Sequence, residues 1–350
     1  MSRKPRDVSY SHRQMDERPF IAFRRLFGLL AVAGLATGCS GDGSRAAGTL
    51  QASAAHFRIE GTILGDKDIS TITRGDRSVG IMASDEGAAI QILRFSADGR
   101  KAAVVRDVIL DPANPELDLE GSAYMDGWFY VTGSHGAARK KGGYQENRAR
   151  VYRFRLSGAS AMPAHVEQAS LASILARSDV LGAFHKKPLQ ERGINIEGLA
   201  AQGGNLYFGL RGPNLAGSAF VLRVNAEALF KERKPGHELL RLPLGGGLGI
   251  RSMAEFRDGF LLIAGNAGPE PSKAHPVTAD FDEDRSSVLF FWRPGRNKLT
   301  RLGTFPRVKK GKEEALLVLP GPARAPADIL VLYDSIREGG PMRFSVRLPR

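Results

Sequence analysis

The chain has 350 residues, 42% of them hydrophobic, and its 50 Lys and Arg against 37 Asp and Glu leave a formal charge of +13. A single cysteine excludes a disulfide framework, and no His or Cys pair shows zinc-ligand spacing. The positive surplus favours anionic partners such as lipid headgroups, phosphorylated ligands or acidic polysaccharide.

The first elements along the chain concern its address. Met15 is an alternative start to Met1, because the stretch up to Glu17 is polar and aperiodic. Arg24-Arg25, the apolar run 26–36 and Thr37-Gly38-Cys39 read as a signal peptide over residues 1–38: the run is too short to span a bilayer and ends at small residues. Leu35-Ala36-Thr37-Gly38-Cys39 resembles a bacterial lipoprotein box, which implies lipidation of Cys39 and its exposure as the new N-terminus. The expected location is the cell envelope, lipid-anchored to the membrane. Ser40 stands where Asp signals inner-membrane retention, which places the protein at the outer membrane, facing the periplasm, in a Gram-negative cell. Export also argues against nucleic acid as a partner. Residues 39–55 are rich in Gly, Ser and Ala and are expected to form a lipidated, flexible tether ahead of a domain over 56–350.

That domain is built on a five-fold repeat of short strands. The first copy has the step Asp68-Ile69-Ser70 and strands at 78–83, 89–95 and 103–110; the second has Asp118-Leu119-Glu120 and strands at 128–133, 151–156 and 164–169. The third has Asn195-Ile196-Glu197 with 206–210, 219–224 and 238–242, and the fourth Gly249-Ile250-Arg251 with 260–265, 288–292 and 299–305. The fifth has Glu313-Glu314-Ala315 with 329–333 and 343–348, then runs out of chain. Units of this kind cannot bury their faces alone, so they form an array. A spare strand at 56–63 stands before the first copy. Pairing it with the fifth closes a ring and hides both open edges. The predicted fold is therefore an all-β, five-bladed β-propeller whose N-terminal strand closes the last blade, with a six-bladed ring or an open solenoid as alternatives. Helical patterns at 170–184 and 226–231 fall in connections.

In a propeller the start of each inner strand and the end of each second strand meet on one face. This brings Glu120, Glu197, Arg251 and Glu314 to the axis, with Asp85, His135, Arg211 and Asp334 around them. Glu120, His135, Glu197, Arg211, Arg251 and Glu314 are the candidate ligand-binding residues. Charged groups at repeat-equivalent positions also cross-link blades, and Glu120 or Glu197 paired with Arg251 or Arg211 satisfies both without a ligand. Glu120, Glu197 and Glu314 offer hard oxygen ligands for calcium, while Arg251 in the same ring opposes a simple cage. His135 is a candidate base; Ser134 beside it points to the opposite face of the strand. Gly245-Gly246-Gly247-Leu248-Gly249 leads into a strand, where a tight turn suits it better than a phosphate loop. Arg139-Lys140-Lys141, with Arg148 and Arg150, is a second place for an anion.

Asp118-Leu119-Glu120-Gly121 with Gly133-Ser134-His135, Asn195-Ile196-Glu197-Gly198-Leu199 with Arg211-Gly212-Pro213, and Gly249-Ile250-Arg251 resemble the family of domain of unknown function 3616, over most of residues 56–348. The resemblance implies a bacterial exported β-propeller and carries no activity. A looser likeness is to phytase-like esterase propellers and calcium-dependent lactonase propellers. Two readings follow. In one, Arg211 and Arg251 hold an anionic small molecule or envelope component and no cofactor is needed; in the other, calcium serves a hydrolase of phosphate esters or lactones, with His135 as base.

Overall fold

The computed structural model describes residues 48–349 apart from 77, 139–142, 158–160, 274, 297 and 322–325. Cys39, the signal segment and the basic run Arg139-Lys140-Lys141 lie outside the described residues.

The chain opens with β1 (Thr49–Ala52) and β2 (Arg58–Glu60). The first blade follows with β3 (Ile69–Arg74), β4 (Val79–Ser84), β5 (Ala89–Phe95) and β6 (Lys101–Ile109). The second comprises β7 (Leu119–Met125), β8 (Trp128–Gly133), β9 (Val151–Ser157) and β10 (Met162–Ala169). The third comprises β11 (Asn195–Gln202), β12 (Asn205–Gly212), β13 (Ala219–Asn225) and β14 (His237–Leu242). The fourth holds β15 (Leu248–Phe256), β16 (Gly259–Asn266), β17 (Val288–Arg293) and β18 (Lys298–Thr304). The fifth holds β19 (Lys312–Val318), β20 (Ala327–Asp334) and β21 (Met342–Arg347). These five sheets make a five-bladed β-propeller, and the strands fall within a few residues of the expected ranges. Helices α1 (Ala172–Ala176) and α2 (Ala226–Lys231) sit in connections, α2 capped by Asn225 accepting from the Ala228 N–H at 3.0 Å.

The sequence makes the middle strands apolar on both sides, as in Phe260-Leu261-Leu262-Ile263-Ala264, because both faces of each blade are covered by neighbours. Five apolar clusters result, one at each interface between successive blades. The cluster joining the last blade to the first packs Ala315, Leu317 and Leu332 against Ile69, Ile72 and Leu93, so burial of apolar surface closes the ring.

Ring closure by an N-terminal strand is as expected, but a different strand performs it. β1 pairs antiparallel with β21, Thr49 opposite Arg347 and Ala52 opposite Phe344. The expected strand at 56–63 instead yields β2, which runs parallel to the start of β6 and extends the first blade to five strands. The folded part thus begins inside the expected tether. The reason is local: Gly48 lies so close to the last blades that a Cβ there would sit 2.5 Å from Leu302, and Leu50 packs into the apolar cluster between blades four and five. Small residues that read as flexible in sequence are here required for close approach.

Candidate functional site

Each inner strand carries one extra residue where it pairs with its second strand. The register shifts fall between Ile69 and Thr71, Leu119 and Gly121, Ile196 and Gly198, Ile250 and Ser252, and Glu313 and Ala315. The extra residues are Ser70, Glu120, Glu197, Arg251 and Glu314. A bulge bends its strand and re-aims a side chain; here the same bulge recurs in all five blades and sets a ring of buried polar groups at the axis.

The ring is asymmetric. On one side Glu197 is shared by two guanidinium groups, 2.9 Å from Arg211 Nη1 and 3.1 Å from Arg251 Nε, and Arg251 Nη2 also pairs with Glu314. Arg211 further donates to the carbonyls of Asn266 at 3.2 Å and Gly268 at 3.1 Å. Gly265 makes room for this network, since a Cβ there would stand 3.1 Å from Arg251 Cγ. On the other side, oxygens of Asp85, Asp118 and Glu120 lie within 4.8 Å of one another. Asp118 accepts from Ser134 Oγ and pairs with Arg148 at 3.2 Å. Asp68, Asp85, Glu120, Glu197, Glu314 and Asp334 together line a cavity of about 10 Å³, room for one water-sized or ion-sized guest. The repulsion is felt at Asp68, whose carboxyl is raised by burial and by the charges of Asp334 and Asp66.

This geometry bears on two expectations. Glu120, Glu197 and Glu314 line the same axial cavity, but Glu197 and Glu314 are also ion-paired with arginines, and the carboxylates whose oxygens lie within 4.8 Å of one another are Asp85, Asp118 and Glu120. His135 is not a base at the mouth. It is 1% exposed, its Nδ1–H donates to the Gly133 carbonyl at 3.0 Å and its Nε2 accepts from the Leu171 N–H at 3.2 Å. Burial lowers it to about 4, so the ring is neutral and structural. Ser134 points away from it to Asp118, the two residues lying just past the end of β8 with His135 at a φ of 54°.

Beside the axis, between blades four and five, lies a larger cavity of about 500 Å³. Its axial wall is Arg211 and Arg251; its outer wall comes from the loop after β16, with Phe281 and Arg285, and from the loop before β19, with Arg307, Lys309, Lys310 and Lys312. Seven cationic side chains and three carboxylates, Glu270, Glu283 and Glu313, thus line it, with Arg307 paired to Asp284 at 3.2 Å and Lys312 to Glu270 at 3.2 Å. Arg285 is fixed by the carbonyls of Gly247 at 3.0 Å and Asp280 at 3.1 Å, whereas Lys309 and Lys310 are exposed. Glu313 is buried, and its carboxyl is raised chiefly by that burial. The Lys309 and Lys310 contribution was overlooked in the sequence, although Arg307-Val308-Lys309-Lys310-Gly311-Lys312 is as basic as the run at 139–141.

The chain has structural likenesses at low identity. They include a GH43 β-1,3-galactosidase solved with galactodeoxynojirimycin, at 9% identity over 84% of this chain and 94% of that one, with a TM-score of 0.49. A bifunctional GH43-CE protein of Bacteroides eggerthii gives 11% identity over 82% and 34% of the two chains, TM-score 0.43. A luciferin-regenerating enzyme gives 7% over 85% and 95%, TM-score 0.39. No curated protein sequence matches. Two segments, residues 68–157 and 155–340, match the sequence model of a protein family of unknown function, and together they run from β3 to β20. The chain belongs to that family, DUF3616.

Proposed function

We propose that the protein is a lipid-anchored envelope propeller that binds an anionic organic molecule on its loop face, in the basic cavity beside the axis. One observation carries this reading: a cavity of about 500 Å³, a size that suits a small molecule, gathers seven Lys and Arg against three carboxylates. Arg211 and Arg251 supply fixed charge at its inner end, held in orientation by Glu197 and Glu314, while Lys309 and Lys310 are placed to close over a guest. The axial cavity is too small and too acidic for the anion itself. Titration of the protein with citrate at constant ionic strength tests the reading. Saturable binding weakened at least tenfold in Lys309→Ser/Lys310→Ser, with unchanged thermal stability, is the expected result; equal binding by both proteins refutes it.

A second reading concerns the neighbouring carboxylates. Asp85, Asp118 and Glu120 present only oxygen, which fits calcium or magnesium and does not fit zinc. A bound divalent ion would offset the negative charge at the axis and supply Lewis-acid chemistry there. The hydrolase version has no base in His135, so the ion is proposed as a cofactor site only. A calcium-dependent rise in Tm that is lost in both Asp85→Asn and Glu120→Gln supports it, and no rise in the native protein eliminates it.

A further inference from the structure

The propeller has two faces, and β1 decides which of them the N-terminal segment leaves from. β19 starts at the charged mouth with Lys312 and ends at Val318; β20 returns, β21 descends again, and β1 pairs with it in reverse. Thr49, opposite Arg347, therefore lies on the face where inner strands end in hairpins, opposite the loop face. The chain from Cys39 to Gly48 reaches at most about 30 Å. Strands of six to eight residues already span about 20–25 Å, so a bilayer tied to Cys39 that met the loop face would leave almost no length for the loops themselves.

The hairpin face has the chemistry of a surface that meets lipid. Arg58, Arg100, Arg233, Lys234, Arg296 and Lys298 are exposed on its turns and strand starts. Ion pairs on this face use other cations, Lys101 with Glu60, Arg293 with Asp258, Arg223 with Glu238 and Lys231 with Glu227. Exposed Asp76, Asp98, Asp126, Glu232 and Glu255 reduce the positive surplus without cancelling it. At its centre opens a cavity of about 490 Å³ whose lining includes Leu199, Met253, Leu316, Leu317 and Leu319, with Arg74 and Glu255 its charged residues; the exposed cations lie outside it.

We infer that the hairpin face docks on an anionic lipid surface, so that the anion cavity and the carboxylate ring point away from the membrane. The inference rests on the lipid-anchored reading for its tether argument, and the charge argument is tested apart from it. Residues 39–350 carrying Cys39→Ser keep all five blades and their interblade cores, and carry neither lipid nor signal segment. Cosedimentation of this protein is measured with vesicles of phosphatidylcholine and of phosphatidylcholine with phosphatidylglycerol, at low and high salt. Binding to the phosphatidylglycerol vesicles alone, weakened by salt, is expected. Each basic group near such a surface contributes about a factor of five, so Arg233→Ser/Lys234→Ser/Arg296→Ser/Lys298→Ser lowers partitioning on the order of a hundredfold or more. Arg307→Ser/Lys309→Ser/Lys310→Ser on the loop face changes it less than about twofold. No binding to phosphatidylglycerol vesicles, greater loss in the loop-face variant, or binding to acidic polysaccharide alone overturns the inference. Failure of lipidation itself is read separately, as an unmodified Cys39 mass in the exported native protein.

Discussion

Glu197 and Glu120 occupy the same bulge position in adjacent blades, and replacing each by Gln is predicted to change stability by different amounts. Glu197 is 2% exposed and balances Arg211 and Arg251. Removing one partner of a buried ion pair costs about 3–5 kcal/mol, because the remaining charge stays buried. Arg251 keeps Glu314 and Arg211 keeps two carbonyls, so Glu197→Gln is placed at the lower end, about 3 kcal/mol, or a Tm lower by roughly 6 °C. Glu120 instead stands among carboxylates within 4.8 Å. Like charges at that distance repel by about 3 kcal/mol at an effective dielectric of 20. Arg148 offsets Asp118, so part of this repulsion is relieved by Glu120→Gln in metal-free buffer, and the substitution is expected to cost at least about 1 kcal/mol less than Glu197→Gln. The assay is urea unfolding of the three proteins in the presence of a chelator. Equal destabilisation by both substitutions would refute the division of the ring into an arginine-rich half and a carboxylate-rich half.

Three further outcomes are expected. His135→Asn, a residue that tolerates the positive φ of 54° found there, removes a buried neutral imidazole. In the native protein that imidazole favours the fold fully above pH 6.5, and up to about 3 kcal/mol is lost as pH falls toward 4, because only the unfolded chain then takes the proton. The variant's stability should fall correspondingly less between pH 7 and pH 4, and an unchanged profile contradicts the assignment. Deleting residues 48–53 uncovers the edge of β21; unfolding at lower urea and concentration-dependent aggregation are predicted, and unaltered behaviour would show that β1 does not close the ring. Gly265→Ala places a Cβ 3.0 Å from Ser287 Oγ and 3.1 Å from Arg251 Cγ, so it should displace Arg251 and weaken citrate binding with a stability loss of about 1–2 kcal/mol.

The blades were legible because short strands with both faces buried leave continuous apolar runs, and because Asp118-Leu119-Glu120 and Asn195-Ile196-Glu197 repeat the same step. The convergence of Glu120, Glu197, Arg251 and Glu314 followed from that repeat. Their division was not legible: a bulge leaves no mark in composition, and whether Glu197 meets Arg251 depends on the angle between blades three and four. Asp68 was passed over because its copy continues with Ser70, which instead donates to the Leu119 carbonyl at 2.5 Å and the Ala83 carbonyl at 3.3 Å. The closing strand falls elsewhere because Thr49-Leu50-Gln51-Ala52 alternates over four residues only, inside a Gly- and Ala-rich stretch, while 56–63 offers a run twice as long. Tertiary pairing outweighs such weak local preference.

The most direct test of the anion cavity is a calorimetric titration with citrate at fixed ionic strength, comparing the native protein with Arg307→Ser/Lys309→Ser/Lys310→Ser. One saturable site in the native protein, at least tenfold weaker in the variant while Tm stays unchanged, is the predicted result. No saturable heat in the native protein, or the same affinity in both, contradicts it.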